Sequence, residues 1–266
     1  MQAMKMLAAA RRVRNVRRWM RWVGWRGTFD WAVTEAKSTL GLRGSPTLTI
    51  KPRNAQHSLV ARLGGSSDMS VFSQIFAWDE YGCIRSVPSP RWIFDLGANV
   101  GYASAYLLSC FPTARAIAVE PDPANYALCC ENLAPYGDRV RVVHGAVWST
   151  RTRLKLLRGS FGDNREWATQ VAASVDGEGT IEAYDIPTLL KMTDGGLVDV
   201  LKIDIERSEL EVFRGRPAWL AGVRNICIEL HGADCESIFF EALRGYQFSL
   251  ARSGELTLCL NLRSSE

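Results

Sequence analysis

The chain has 266 residues, 47% of them hydrophobic and 23% charged, a composition that excludes disorder, collagen and a disulfide-stapled mini-protein. Its formal net charge of +4 is unevenly placed: residues 1–27 hold Lys5 and seven arginines with no acid, a local charge of +8, and the rest of the chain sums to −4. A body of that sign is not a whole-surface nucleic-acid binder, so no nucleic-acid partner is expected.

The basic segment comes first. At 100° per residue, Met6, Ala9, Val13, Val16, Trp19, Met20 and Val23 share one arc, and Arg11, Arg14, Arg17, Arg18 and Arg21 fill the opposite one. Such a helix either lies on an anionic membrane surface, with Trp19, Trp22 and Trp25 at headgroup level, or docks its stripe on the globular body or a second copy. Arg12, which intrudes on the apolar face, favours docking. The apolar stretch from Met6 to Ala10 is too short for a secretory h-region and precedes the arginines, although a mitochondrial presequence shares this composition. No run of about 18 apolar residues exists to span a bilayer. Seven scattered cysteines without a C-x-x-C pair point to a reducing compartment and no structural zinc. The expectation is a cytoplasmic protein, with peripheral contact at the inner membrane face as the membrane role open to its helical region, residues 1–45.

Residues 46–90 read as a small subdomain. Leu48 to Lys51 and Ser58 to Arg62 alternate and are joined by Pro52-Arg-Asn, which predicts a hairpin. Ser67 is placed to cap a helix whose Met69, Phe72 and Phe76 share a face, and Pro88 and Pro90 break the chain before the main domain, residues 91–266. There, apolar β-type runs alternate with helical patterns. Trp92-Ile-Phe precedes a helix from about Tyr102, Ala116-Ile-Ala-Val one from Pro123, and Val140-Arg-Val-Val follows. Val198 to Ile203 precedes a helix from about Ser208, and Asn225-Ile-Cys-Ile comes next. Strand and helix in alternation predict a parallel sheet covered on both faces. Two last runs, Phe248 to Ala251 and Leu256 to Leu260, predict a closing antiparallel hairpin. Between Arg151 and Thr188 lies a long insertion, either a surface hairpin or an acceptor platform carrying Asn164 and Trp167.

Chemistry concentrates at strand ends. Asp95-Leu-Gly-Ala-Asn-Val-Gly-Tyr102 follows a strand and opens a helix, so its glycines permit a tight turn and close ligand approach. The spacing is not G-x-G-x-x-G, and the carboxylate of Asp95 would repel a pyrophosphate. In Val119-Glu-Pro-Asp122, Glu120 ends the next strand, where a carboxylate accepts hydrogen bonds from both ribose hydroxyls. S-adenosylmethionine, a nucleoside with a cationic, phosphate-free tail, fits both features.

The first of these segments, together with Val119-Glu-Pro-Asp-Pro-Ala-Asn-Tyr126 and Val198-Asp-Val-Leu-Lys-Ile-Asp-Ile-Glu-Arg-Ser-Glu-Leu-Glu-Val-Phe-Arg-Gly215, resembles the FkbM family of methyltransferases over roughly residues 91 to 250. Lys202, Asp204, Glu206 and Glu209 match the family's last motif, whereas Arg207 stands where the family usually has glycine. The resemblance implies a Rossmann-like class I methyltransferase: an α/β fold with a seven-stranded, mostly parallel sheet, a C-terminal antiparallel hairpin and a small N-terminal α/β extension. It further implies S-adenosylmethionine as cofactor, bound by Asp95 near its amino group, by Gly97, Ala98, Asn99 and Gly101 at its methionine end, by Glu120 at the ribose and by Ala146 at the adenine. The expected reaction is O-methylation of a hydroxyl on a sugar, polysaccharide or natural product. The alternatives are N-methylation and a non-catalytic cofactor-binding scaffold at the membrane. The partners expected are a small-molecule or glycan acceptor and a second copy of the chain.

Lys202 and Asp204 share a face of one strand, and Glu229 and His231 a face of the next, so four ionisable groups converge at the C-terminal edge of the sheet. Lys202 is expected to pair with a carboxylate such as Glu229. His231 or Asp204 is the expected base, His231 first because its unperturbed pKa near 6.5 suits neutral pH, and Glu206 positions the acceptor. The competing reading is a structural ion-pair network. No metal is expected, the alternative being a divalent ion on Asp204 and Glu229 in place of the base.

Overall fold

The computed structural model describes residues 19–25, 27–29, 32–33, 47–63, 66–158, 169–173 and 180–265. Strands β1 (Thr47–Ile50) and β2 (Leu59–Arg62) pair antiparallel, with Thr47 opposite Arg62, as the alternation predicts. Helix α1 (Asp68–Phe72) widens into a π-type turn over Ser73–Ala77, and a 3₁₀ segment, Glu80–Ser86, follows. Ser67 does not cap α1. Its backbone is already helical (φ −78°, ψ −10°), so its hydroxyl is not presented to the first turn, and the Asp68 amide donates instead to Ser66 Oγ at 3.0 Å.

The main sheet begins at β3 (Trp92–Leu96), buried along its whole length, and continues through β4 (Arg115–Glu120), β5 (Val140–His144), β10 (Val200–Ile203), β11 (Ile226–Glu229), β12 (Tyr246–Ser253) and β13 (Leu256–Ser264). Their order is β12-β13-β11-β10-β3-β4-β5. The pairs β5–β4, β4–β3, β3–β10 and β10–β11 are parallel, and β13 runs antiparallel to both of its neighbours. A parallel sheet must be covered on both faces. Ile93, Ala116, Ala118, Val200 and Cys227 point to one face, packed by α2 (Tyr102–Cys110) and α3 (Pro123–Leu133). Phe94, Leu96, Ile117, Val119, Leu201 and Ile203 point to the other, packed by α4 (Ile186–Leu190), α5 (Glu209–Val212) and α6 (Ala233–Ala242).

The segment before Pro90 shares the first of these cores. Phe72, Phe76 and Ile84 are buried with Tyr102, Tyr106 and Leu107. Polar ties bind it further. Asn132 accepts from the Val60 amide at 2.7 Å, and the Tyr102 hydroxyl donates to the Val60 carbonyl at 2.8 Å. Arg62 reaches both Asp68, at 2.7 Å, and Asn125, at 2.7 Å. Residue 90 therefore marks a change of element type within a continuous core.

Most of the basic helix lies outside the described residues. In its described end Trp19 is buried, stacks on Phe72 with ring centroids 5.5 Å apart, and donates to Ser73 Oγ at 3.2 Å, while Trp25 is exposed. This stretch docks on the body of the protein. No helix among the described residues is long and apolar enough to cross a membrane. The insertion contributes β7 (Thr152–Arg158), β8 (Thr169–Ala173) and β9 (Thr180–Tyr184), which join β6 (Ala146–Val147) in a four-stranded sheet. Asn164 and Trp167 lie outside the described residues.

Candidate active site

The turn between β3 and α2 is built by two backbone bonds: the amides of Gly97 and Ala98 both donate to the Val119 carbonyl, at 3.0 and 2.9 Å. Gly97 has φ +81°, and a Cβ there would lie 1.7 Å from the Asp204 carbonyl oxygen. Only glycine allows that approach. The Asn99 amide, directed by this turn, donates to Glu120 Oε2 at 2.8 Å, and the Asp122 amide donates to Oε1 at 2.9 Å. Glu120 is thus fixed at the end of β4. Burial pushes its carboxyl up to about 7, although both amides favour the ionised form. Gly101, at φ +85°, instead serves packing: a Cβ there would meet Cys129 Sγ and Leu133 at 3.1 Å.

Lys202 pairs with Asp95 and not with Glu229. The register sets Lys202 directly beside Asp95 on β3 and beside Cys227 on β11, leaving Glu229 two residues farther along. Its Nζ lies 2.9 Å from Asp95 Oδ1 and donates to the Gly97 carbonyl at 2.7 Å. Burial opposes this charge, but Asp95 and Asp204 hold the ammonium above the ordinary lysine value. Asp95 is fully buried and also accepts from Ser104 Oγ at 2.6 Å. It does not line the cavity, so the contact expected between Asp95 and a cofactor amino group is replaced by support of the glycine turn from beneath.

Beyond this pair, carboxylates surround one imidazole. His231 Nε2 lies 3.7 Å from Asp204 Oδ1, 3.8 Å from Glu206 Oε2 and 3.7 Å from Glu229 Oε1. Its Nδ1 meets the buried Glu209 Oε1 at 3.0 Å. Burial disfavours the imidazolium, yet the Glu209 hydrogen bond and the charges of Glu209, Asp204 and Glu206 raise it to about 9. With Nδ1 held by Glu209 and carboxylates of Asp204, Glu206 and Glu229 around Nε2, the surroundings favour the imidazolium, which counts against His231 as the base. Burial also raises Glu206 to about 7 against the pull of His231, and burial with the Asp204 charge raises Glu229 to about 7.

Glu206 and Arg207 take φ +49° and +75°, so the arginine does adopt the left-handed turn where a glycine is usual. Its guanidinium holds the position by donating to the His231 carbonyl at 2.8 Å and pairing with Asp234. Relief of the left-handed cost, about 1–2 kcal/mol, should nearly cancel the loss of that hydrogen bond, about 0.5–1.5 kcal/mol. Arg207→Gly should therefore shift the urea-unfolding stability by no more than about 1 kcal/mol.

These elements enclose a cavity of about 260 Å³. Of the residues expected from the sequence, Gly97, Ala98, Asn99, Glu120, Ala146, Lys202, Asp204 and Glu206 line it, and Asp95, Gly101 and His231 stand behind. The structure adds Gln74 and Ile75 from the π-type turn, Glu80 and Tyr81 from the 3₁₀ segment, and Glu255 from the β12–β13 turn. No spacing rule marks these residues, because only tertiary packing brings the N-terminal segment over the strand ends. His144 is structural: its ring stacks on Tyr126 at 4.6 Å, and its Nε2 faces the Pro121 carbonyl at 3.2 Å.

A seven-stranded sheet of this order, with one antiparallel strand and its glycine turn and acidic strand ends around one cavity, defines a Rossmann-like class I methyltransferase. The chain belongs to the methyltransferase FkbM domain family, whose model matches residues 95–251. It is 28% identical over 191 residues to methyltransferase sdnD of Sordaria araneosa, covering 60% of this chain and 73% of that one. It is 28% identical over 153 residues to hexuronic acid methyltransferase AglP of Haloferax volcanii, covering 55% and 59% of the two chains. Against 2-O-methyltransferase NoeI of Sinorhizobium fredii the identity is 26% over 180 residues, covering 62% and 70%. The protein is an enzyme, a methyltransferase.

Proposed function

We propose that the protein transfers the methyl group of S-adenosylmethionine to a hydroxyl oxygen of a sugar or a comparable natural product. The observation that carries this reading is one cavity lined both by the buried Glu120 beside the glycine turn and by the carboxylates of Asp204, Glu206 and Glu229. Residues Gly97 to Asn99 line the cavity on the glycine turn, Glu120 has acceptor capacity left for ribose hydroxyls, and Ala146 lines a wall suited to an adenine. Bound there, S-adenosylmethionine supplies a sulfonium methyl that is already activated. The chain's own work is alignment, water exclusion and removal of one proton.

We assign that proton to a carboxylate oxygen of Glu229, which faces the cavity beside His231. Asp204 and Glu206 orient the acceptor, and Lys202 holds the glycine turn through the Gly97 carbonyl. The names of two relatives, for a hexuronic acid and for 2-O-methylation, support a sugar oxygen as acceptor.

Isothermal titration should show S-adenosylmethionine binding to the wild type. Glu120→Ala, which removes acceptors from two hydroxyls, should weaken it by at least about a hundredfold, at about 1.5–3 kcal/mol for each hydrogen bond to a charged group. Unchanged affinity would remove Glu120 from the site. Because the ionised Glu120 is the better acceptor, affinity should rise with pH through about 7 and level off above it, with protons released on binding below that point.

A further inference from the structure

The cluster around His231 has the donor set and charge balance of a cation site, and we propose that Asp204, Glu206 and His231 bind one divalent metal ion of the Mn²⁺ type at the acceptor end of the cavity. Their ligand atoms, one imidazole nitrogen and two carboxylate oxygens, all lie within 4.8 Å of one another. They come from two neighbouring strand ends, β10 and β11, held in fixed parallel register, and from the left-handed turn at Glu206.

Two further observations point the same way. The first is the support behind the histidine. Glu209, whose side chain is fully buried, faces Nδ1 at 3.0 Å, which fixes the ring and turns Nε2 toward the carboxylates. A carboxylate behind a histidine is the usual outer support of a metal-ligating imidazole. Among the described residues Nε2 makes no hydrogen bond; its nearest oxygens, on Asp204, Glu206 and Glu229, stand at 3.7–3.8 Å, too far for one but suited to groups that share an ion.

The second observation is charge. Among the described lining residues the acids are Glu80, Glu120, Asp204, Glu206, Glu229 and Glu255, and the only lysine or arginine is Lys202. That lysine is already engaged by Asp95. The nearby Arg207 turns away to Asp234 and the His231 carbonyl. Carboxylates brought together in a half-buried cavity with only the His231 imidazolium among them repel one another, and a divalent ion that displaces the Nε2 proton brings a further positive charge and removes that cost. One imidazole with carboxylates and no thiolate suits Mn²⁺ better than Ca²⁺, which takes oxygen ligands, or Zn²⁺, which favours nitrogen and sulfur.

In the hydroxyl-methylation reading, on which this role rests, the ion receives the acceptor's hydroxyl oxygen in an open position and lowers its pKa. Glu229, outside the ligand triad, remains to take the proton. Binding of the ion itself is independent of that reading and is tested without S-adenosylmethionine. The chelator-treated 266-residue chain titrated with Mn²⁺ should abolish the free-ion electron paramagnetic resonance signal up to one ion per chain. Asp204→Asn and His231→Ala should lose this binding, and Glu209→Gln should weaken it about 10–100-fold. Asp194→Asn, which alters an exposed acid remote from the cavity, should not change it. Thermal melts establish that each variant is folded. Because Glu206→Gln alters a partly exposed turn residue and not the core, it provides a ligand variant insensitive to folding defects.

A wild-type signal unaffected by millimolar protein, or equal binding by wild type, Asp204→Asn and Glu206→Gln, overturns the proposal. The cavity's charge would then be left for a cationic acceptor. Mn²⁺ binding without any S-adenosylmethionine binding would leave the metal site standing and remove the functional reading; the reverse result would remove the metal site alone.

Discussion

Lys202→Met should destabilise the fold by about 3–5 kcal/mol, the usual cost of removing one partner from a buried ion pair. The substitution preserves most of the side-chain volume, so the loss reports charge and hydrogen bonding more than packing. It strands the Asp95 carboxylate, fully buried between strands, and deprives the Gly97 carbonyl of the donor now at 2.7 Å. Against a total stability of about 5–15 kcal/mol, such a loss leaves a marginal domain. Urea unfolding measures it directly, and a second substitution isolates the cause. Lys202→Met combined with Asp95→Asn should recover part of the deficit, because the uncompensated charge is gone, and the two effects should be clearly non-additive. A loss below about 1 kcal/mol, or additivity of the two substitutions, would contradict the assignment of this pair as the support of the glycine turn.

Lys202 also shows where reading the sequence stops. The runs of β3, β4 and β10 are legible because strands buried on both faces are largely apolar, and the ends of β4 and β10 are legible because Glu120 and Asp204 close them at one level of the sheet, two residues beyond Asp95. That two neighbouring strands bring Lys202, Asp204, Glu229 and His231 to one edge follows from strand periodicity. Which acid Lys202 meets does not, since that depends on the register with both neighbouring strands: β3 sets Asp95 beside it, whereas β11 sets Cys227 there and Glu229 two residues farther along. The protonation of His231 is equally hidden, because it depends on Glu209, which arrives from a helix and not from a strand. The cavity wall formed by Gln74, Glu80 and Tyr81 carries no local signature at all. Its position comes from the packing of Phe72 and Phe76 on Tyr102, an aromatic contact between segments well separated along the chain.

Gly97→Ala should be the most damaging glycine-to-alanine substitution among the described residues, and comparison with Gly101→Ala shows why. Both glycines have left-handed backbones, at φ +81° and +85°, so both alanine variants incur a conformational cost of about 1–2 kcal/mol. Their surroundings differ. A Cβ added at Gly101 would meet side chains, Cys129 Sγ and Leu133 at 3.1 Å, which can give by a few tenths of an ångström. A Cβ added at Gly97 would stand 1.7 Å from the Asp204 carbonyl oxygen and 2.8 Å from its carbon, and backbone cannot yield in that way. Asp204 is also tied to β3, since its amide donates to the Leu96 carbonyl at 3.0 Å. To clear the clash, the β3–α2 turn and the end of β10 must separate by roughly 1 Å or more, which moves Asn99 away from Glu120 and displaces Asp204 in the cavity wall at once. Misplacement by about 1 Å costs on the order of a hundredfold in rate, so methyl transfer should fall by at least about that factor in Gly97→Ala. S-adenosylmethionine affinity should fall with it, whereas Gly101→Ala should retain both within about tenfold and lose mainly thermal stability. Equal turnover in the two variants would mean that the close approach of the turn to β10 is not what shapes the site.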